Sequence, residues 1–526
     1  MSGEEGSFVG RSLNVVNDLS VDEQIYLYEK TRELKGCLRS GADPSDFQLN
    51  DPDLGVYLIF LEDSTRTKES FRNAAKFHRV KVNDFNVQGS SFNKKESITD
   101  TVKMLFGYSA RSMFVIRSRL EGTCSWLEDA LGGYAQRIGR AAPSFINAGD
   151  GKHEHPTQEF LDEFTFLEHL NWDRSAIHLA LVGDLCHGRT VHSKVDGLRV
   201  FGRVMVDLIA PKELELPDYY EARMTANNYT VRKFGSIEEY LSQRDVAEIW
   251  YFTRLQLERM GDEVLEKAPM LRRAVTFRRD FLPRLGGATR FYHPLPRHSE
   301  FPTIPFFLDH LPVNGWDLQS TNGYYTRIVE IAMLSGKIGK DFAGAGLRRP
   351  VYIDDFVEEV PVRQTKVHDY KVGIKPVENG IVIDHIGRGS DLSAIWDHID
   401  KIRRIMRLNL RSSHGVYHSS SDSIFKGIVS LPDILSFDET QIKMLAAIAP
   451  GCTLNMVEGG RVRKKYRLHM PPRIYNFDEI SCKNESCISN PKHFEQVRQE
   501  FYKSEDSTFV CRYCEKPHNF SEIWDV

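Results

Sequence analysis

The chain has 526 residues, 69 Lys and Arg against 73 Asp and Glu, and a formal net charge of −4. Its 41% hydrophobic and 27% charged composition is that of a globular protein long enough for three or four domains with cores of their own. The near-neutral balance speaks against a general nucleic-acid binder. The absence of a run of about 18 apolar residues leaves no candidate for a membrane span. The start, MSGEEGSFVG, lacks the basic and apolar segments of a signal peptide, so a cytoplasmic address is expected.

Taken in chain order, GVYLIFL (55–61) has the length and apolarity of a buried strand, and Phe71, Ala74, Ala75 and His78 follow at helical spacing. VNDFNV (82–87), MFVIR (113–117) and SFINAGD (144–150) read as further strands, with a helix-like ITDTVKMLFGYS after the polar loop QGSSFNKKES. The pattern restarts at AIHLALVGDL (176–185) and continues through RVMVDLIAP (203–211), VAEIWYF (246–252) and ATRFYHPLPR (288–297). Strands alternating with helices predict two parallel-sheet α/β domains. An amphipathic helix over 324–338, with Ile328, Ile331, Ala332 and Leu334 on one face, is expected to close this part. The Gly/Pro-punctuated, charged stretch from about 341 reads as a linker. VGIKPVENGIVIDHI is expected to form two strands around an Asn-Gly turn, and IMRLNLRSS another strand, within a small α+β module. A zinc-bound, β-rich tail is expected to follow.

Four of the eight cysteines fall in the last 45 residues. Cys482 and Cys487 have four residues between them, Cys511 and Cys514 two, and the pairs lie 23 apart. Two such pairs bring four thiolates onto one tetrahedral Zn2+ at about 2.3 Å. A closed four-thiolate site leaves no position for water, so one structural metal per chain is expected, with no catalytic metal. Reduced structural thiols or two disulfides are the alternatives. Cys37, Cys124, Cys186 and Cys452 read as buried small hydrophobes.

Ser64-Thr65-Arg66-Thr67 stands where a helix begins, at unpaired N–H groups that suit a phosphate, or as an ordinary N-cap. Arg117 ends one strand, and His155 and Gln158 follow another. In an open α/β sheet ligands bind at such carboxyl ends. Arg189, Arg254 and Gln256, and His293-Pro294-Leu295-Pro296-Arg297, follow strand ends in the second domain. Arginine forks there suit a dicarboxylic substrate. Ser91, Lys94 and Lys95 lie in a polar loop that is either simply solvated or closes on an anion.

These motifs resemble those of the aspartate carbamoyltransferases. STRT (64–67), SSFNKK (90–95), NAGDGKHEHPTQ (147–158), GDLCHGRTVHS (183–193), TRLQ (253–256) and HPLPR (293–297) match the catalytic chain; NGIVIDHI (379–386) and the cysteine pairs match the regulatory chain. The resemblance implies a carbamoyl-phosphate-binding domain at 1–150 with a returning helix at 322–340. It further implies an aspartate-binding domain at 151–321, a linker at 341–370, a nucleotide-binding regulatory domain at 371–468 and a zinc domain at 469–526. It implies transfer of a carbamoyl group from carbamoyl phosphate to L-aspartate in pyrimidine (UMP) biosynthesis. Ser64, Thr65, Arg66, Thr67 and Arg117 would hold phosphate. Thr67, Arg117 and His155 would polarise the carbamoyl oxygen, and Gln158 with the Pro294 and Leu295 carbonyls would take its NH2. Arg189, Arg254 and Gln256 would grip aspartate. Ser91 and Lys95 would come from a neighbouring subunit of a homotrimer or larger oligomer. Asp384, His385, Lys426 and Lys465 fall where the family contacts nucleoside triphosphates, so CTP, UTP and ATP are the expected effectors. A carbamoyltransferase for another amine, or a nucleotide-sensing scaffold with a dead catalytic half, are the competing readings; the intact Arg66, His155, Arg189 and Arg254 speak against the latter.

Overall fold

The computed structural model describes residues 8–85, 96–257, 260–348, 350–353, 355–362, 377–408, 412–419, 423–432, 434–505 and 507–525. These fall into two compact units. The first comprises the chain to Arg348 with Asn484–Val497 and Tyr513–Glu515; the second comprises Arg349–Lys483, Arg498–Arg512 and Lys516–Val526.

In the first unit, β1 (Leu54–Phe60), β2 (Lys81–Phe85), β3 (Arg111–Ser118) and β4 (Ser144–Asp150) form a parallel sheet in the order β2-β1-β3-β4. Every residue of β1 and β4 is buried, as expected of parallel strands covered on both faces. Helices α1 (Val21–Ser40), α2 (Thr65–Phe77), α3 (Ile98–Phe106), α4 (Thr123–Arg137) and α5 (Pro156–His169) surround it. A second parallel sheet, β5 (Ile177–Val182), β6 (Val204–Ile209), β7 (Thr230–Phe234), β8 (Ile249–Phe252) and β9 (Arg290–Tyr292), has the order β7-β6-β5-β8-β9. One core including Leu27, Val115, Phe164, Leu181, Trp250 and Ile331 runs through both. The predicted α/β class is observed. The sequence reading passed over α1 and α4, and the closing helix, Trp316–Leu334, begins eight residues before the predicted start. Its first turns bury Trp316, Gln319 and Asn322, and polar Gln and Asn do not register in an apolar stripe.

Helix starts explain where ligands can bind. Ser20 caps α1 by accepting from Glu23 N, and Ser97 caps α3 by accepting from Asp100 N. Ser64 and His155 occupy the same positions on α2 and α5 without a side-chain cap bond. Their first-turn N–H groups therefore still offer donors to an anion.

In the second unit, β10 (Val357–Glu359), β11 (Gly380–Gly389), β12 (Ser413–His418), β13 (Phe425–Pro432), β14 (Thr453–Glu458) and β15 (Arg461–Leu468) form an antiparallel sheet in the order β10-β15-β14-β11-β13-β12. The stretch read as linker thus contributes an edge strand, paired Val357↔Leu468. The expected Asn-Gly hairpin does not form among the described residues. Asn379 accepts from Gly459 N at 2.9 Å, and the strand after it pairs with the distant β13 and β14. The start of the expected hairpin, 372–376, lies outside the described residues. The described residues of IMRLNLRSS do not make a separate strand: Ile405 ends the helix Leu392–Ile405, Ser413 opens β12, and 409–411 lie outside the described residues. Ile395, Ile399 and Ile402 set a helical spacing that Ile405 continues. Four antiparallel strands, β16 (Arg473–Tyr475), β17 (Glu500–Glu505), β18 (Thr508–Cys511) and β19 (Pro517–Asn519), form the tail sheet. No helix among the described residues is long and apolar enough to cross a membrane.

Candidate active site and metal centre

A cleft of about 1020 Å³ opens in the first unit. Segments at the carboxyl ends of β1, β3, β4, β5, β8 and β9 line it, together with the closing helix. It gathers Ser64, Thr65, Arg66, Thr67, Arg117, His155, Gln158, Arg189, Arg254, Gln256, Pro294 and Leu295, twelve of the fourteen catalytic and substrate residues read from the sequence. The other two, Ser91 and Lys95, lie outside the described residues, as does Lys94.

Charge in the cleft is strongly one-sided. Its lining carries six arginines (66, 117, 189, 254, 297 and 327) against Glu62, Asp63 and Glu69. Burial depresses the Arg66 guanidinium below its ordinary value, which favours an anion beside it. Arg117 Nη1 donates to Ala148 O at 3.1 Å, and Arg189 Nη1 to Gly151 O at 3.2 Å. Gly149 (φ +106°) makes room for this arrangement: a Cβ there would stand 2.9 Å from Arg189 Nε.

His155 is buried, its backbone N–H donating to Ser193 Oγ at 2.9 Å. Burial, with the Arg117, Arg189 and Arg327 guanidiniums nearby, holds its imidazole well below the ordinary histidine range. That direction favours the neutral imidazole at pH 7. Gln158 Nε2 donates to Asp162 Oδ1 at 2.8 Å, so the side-chain amide is oriented with its nitrogen on Asp162. Asp162 also accepts from Gln319 Nε2 at 2.6 Å, and Gln319 Oε1 accepts from His293 N at 2.9 Å, tying α5 to the HPLPR turn. Leu295 N donates to His293 Nδ1 at 2.7 Å. Burial and the charges of Arg297, Arg66 and Arg254 push His293 down to about 3. Gln256 is braced by Nε2 donating to His187 O at 3.1 Å and N donating to Asp184 Oδ2 at 3.1 Å. Arg297 makes a fork onto Asp309, 2.6 and 3.1 Å.

Glu62 and Arg327 are among the lining residues that the sequence did not single out. Glu62 meets both Arg189 and Arg117. Arg327 lies buried on the closing helix, 4.9 Å from the Phe71 ring centroid, and burial brings it down to about 10. Its signal was a charged residue inside the apolar run YYTRIVEIAML; Glu62 carried none beyond preceding STRT.

In the tail, the ligand atoms of Cys482, Cys487, Cys511 and Cys514 all lie within 4.8 Å of one another, and all four residues are buried. Tetrahedral thiolates at about 2.3 Å from a metal stand roughly 3.8 Å apart, so the set fits one ion. Ser489 N points to Cys487 Sγ at 3.5 Å, a donor that favours the thiolate. None of the cysteines is in a disulfide. Of the remaining four, Cys124 and Cys452 are buried as expected, but Cys37 and Cys186 are only half-buried.

In the second unit, Asp384↔Thr453, Val382↔Asn455 and Asn455↔Lys465 are cross-strand partners, and Asp384 stands opposite Ile428, two residues from Lys426. Strand alternation puts Asp384, Lys426 and Lys465 on one sheet face, with the small apolar cluster Val382, Ile428 and Val457 nearby. Tyr417 OH donates to Asp384 at 2.7 Å, Lys426 Nζ to Ser419 Oγ at 3.2 Å, and His385 Nδ1 lies 3.1 Å from Thr453 Oγ1.

Comparison with known proteins agrees with this geometry. Residues 11–168 match the family model of the aspartate/ornithine carbamoyltransferase carbamoyl-phosphate-binding domain. Residues 372–469 match the allosteric domain, and 472–524 the metal-binding domain, of the aspartate carbamoyltransferase regulatory chain. Protein PyrBI of Treponema denticola is 52% identical over 530 residues, 99% of each chain. The aspartate carbamoyltransferase catalytic subunit of Methanosarcina barkeri is 30% identical over 333 residues, 63% of this chain and 99% of that one. The structure of Trypanosoma cruzi aspartate transcarbamoylase in complex with N-(phosphonacetyl)-L-aspartic acid superposes with a TM-score of 0.53 at 26% identity, covering 62% of this chain and 97% of that one. The chain belongs to the aspartate carbamoyltransferase family, with the catalytic and regulatory parts joined in one polypeptide.

Proposed function

We propose that this aspartate carbamoyltransferase condenses carbamoyl phosphate with L-aspartate in the cleft described above, giving N-carbamoyl-L-aspartate and phosphate for pyrimidine biosynthesis. The observation that carries the residue roles is the convergence of phosphate-type, carbonyl-type and carboxylate-type donors from six strand ends in one cleft. Ser64, Thr65, Arg66 and Thr67, at the uncapped start of α2, take the phosphate together with Arg117. Arg189, Arg254 and Gln256 take the aspartate carboxylates. Thr67, Arg117 and neutral His155 donate to the carbamoyl oxygen. The Gln158 carbonyl and the Pro294 and Leu295 carbonyls accept from the carbamoyl NH2.

The aspartate amine, in its unprotonated form, attacks the carbonyl carbon. The C–N bond forms, negative charge collects on the carbonyl oxygen, and donors aimed there stabilise it by about 3 kcal/mol each. Collapse breaks the bond to the phosphate oxygen. The departing phosphate accepts the amine proton, so no protein base is required, and the chain's main task is orienting two anions. Ser91 and Lys95 complete the site from a neighbouring subunit of a homotrimer or larger assembly. The metal held by the four cysteines is a structural Zn2+, one per chain. Asp384, His385, Lys426 and Lys465 bind the nucleoside triphosphates CTP, UTP or ATP. The protein works in the cytoplasm.

Carbamoyl-product and phosphate release measured with aspartate and with ornithine side by side tests the reading. Turnover with aspartate is expected; turnover with ornithine alone would overturn it.

A further inference from the structure

Asn484–Val497 and Tyr513–Glu515 of the tail belong to the first unit, and some of their contacts fall on the turn between β3 and α4. Glu121 N donates to Ser486 O at 2.8 Å, Ile488 N donates to Glu121 O at 2.9 Å, and Asn484 Nδ2 donates to Glu121 Oε2 at 2.7 Å. Next to it, Gly122 (φ +78°) lies so close to Tyr513 that a Cβ would stand 2.5 Å from the Tyr513 carbonyl. Two residues on from Tyr513, the Glu515 carboxylate lies 3.5 Å from His153 Nε2 and 3.5 Å from Arg223 Nη1. Arg223 in turn pairs with Asp196.

His153 is 2% exposed and belongs to the turn between β4 and α5 that ends in His155. Its Nδ1 lies 3.0 Å from Asp150 Oδ2. Asp150 also accepts from Gly122 N at 2.6 Å, Asn147 Nδ2 at 3.0 Å and Glu154 N at 3.0 Å. The adjacent Glu154 accepts from Val16 N at 2.9 Å and Ser193 Oγ at 3.3 Å. Ser193 Oγ is the acceptor for the His155 backbone N–H at 2.9 Å. Asp150, His153, Glu154 and His155 are each fastened to their surroundings, and Glu515 of the tail adds a carboxylate 3.5 Å from the buried His153 Nε2. His153, Glu154 and Glu515 also place ligand atoms within 4.8 Å of one another, but the Arg223 guanidinium already supplies a countercharge there.

We propose that Glu515 is a positioning residue: through His153 it holds the turn that presents His155, so that this one contact from the metal-binding tail sets the rate of carbamoyl transfer. The inference rests on the catalytic role given to His155 above. A donor displaced by a fraction of an ångström from the developing oxyanion loses stabilisation in the transition state more than in the ground state. The effect should appear in kcat and leave the two KM values alone.

The test uses the full chain, with Glu515→Ala, Glu515→Gln, His153→Gln and the double variant Glu515→Ala/His153→Gln, and with Asn484→Ala as a variant that weakens the tail elsewhere. Steady-state kinetics are read together with metal content per chain, particle mass and thermal midpoint. Glu515→Ala is expected to lower kcat about tenfold, with both KM values within twofold and metal and mass at parent levels. Glu515→Gln should fall between it and the parent. The double variant should lose no more than the worse single variant, because the two residues act in series. Asn484→Ala should keep the parent kcat. Parent-like kcat in a metal-loaded Glu515→Ala protein would overturn the inference. So would an equal loss in Asn484→Ala, or a loss that tracks metal or mass, since each marks a general structural role. A parent chain inert on aspartate would overturn the catalytic reading and the inference with it, whereas an active parent with unaffected variants overturns the inference alone.

Discussion

Glu62 Oε2 accepts from Arg189 Nη2 at 3.0 Å and lies 3.3 Å from Arg117 Nη2. One carboxylate thus orients a guanidinium from each sheet, Arg117 on β3 and Arg189 beyond β5. Charge-assisted pairs of this kind give direction as well as attraction. Glu62→Ala is expected to leave Arg189 without this guide and to raise the aspartate KM about tenfold, measured at saturating carbamoyl phosphate. An unchanged KM would show that the pair plays no part in acceptor binding.

His155 is assigned to the carbonyl oxygen as a neutral donor. His155→Ala should lower kcat about a hundredfold, the loss expected for one oxyanion donor worth about 3 kcal/mol. Because burial and three arginines hold its imidazole well below the ordinary range, the parent kcat should show no step near pH 6.5 from this group. A step there that disappears in His155→Ala would contradict the neutral-donor role.

Lys426 is 4% exposed and shares a sheet face with Asp384 and Lys465. A buried ammonium facing a triphosphate contributes about 2 kcal/mol through charge-assisted bonds. Lys426→Met should therefore weaken CTP and ATP about thirtyfold by titration calorimetry while kcat without nucleotide stays at the parent value. Equal affinity in parent and variant would remove Lys426 from the nucleotide site.

The tail sheet β16–β19 is small, and metal binding supplies folding free energy to such modules. Elemental analysis should find one zinc per chain in the parent and under a tenth of that in Cys487→Ser. The variant should show an early calorimetric transition absent from the parent. Identical melting profiles with and without the metal would contradict a structural role.

His78 ends α2, buried, with Nε2 donating to Ile328 O at 2.9 Å. Burial brings its imidazole down to about 4, against about 6.5 in the unfolded chain. Between those values the unfolded chain binds a proton that the native chain does not, so stability rises with pH across this window. The contribution is complete above about pH 6.5, and about 3 kcal/mol is lost as pH falls towards 4. His78→Gln should flatten the pH dependence of the unfolding midpoint between pH 4 and 6.5. His293, pushed down to about 3, acts in the same direction and leaves part of the slope in place.

Local patterns were enough for much of the chain. The α/β class followed from apolar runs such as GVYLIFL alternating with helical spacing, because each run reports its own period whatever it later packs against. The cleft residues were legible for a related reason: STRT, HPTQ, TRLQ and HPLPR each follow a strand, and strand ends in a parallel sheet point the same way. The four cysteines announced themselves by spacing, since metal ligation needs tight turns. Tertiary structure alone decided what depends on partners far apart in sequence. Asn379-Gly380 promised a hairpin, yet β11 pairs with β13 and β14, because a strand's partner is chosen by the face it buries and not only by the turn beside it. Glu62 and Arg327 became site residues only when the fold carried them to the cleft. Glu515 met His153 across 362 positions of chain, a pairing that no local periodicity encodes.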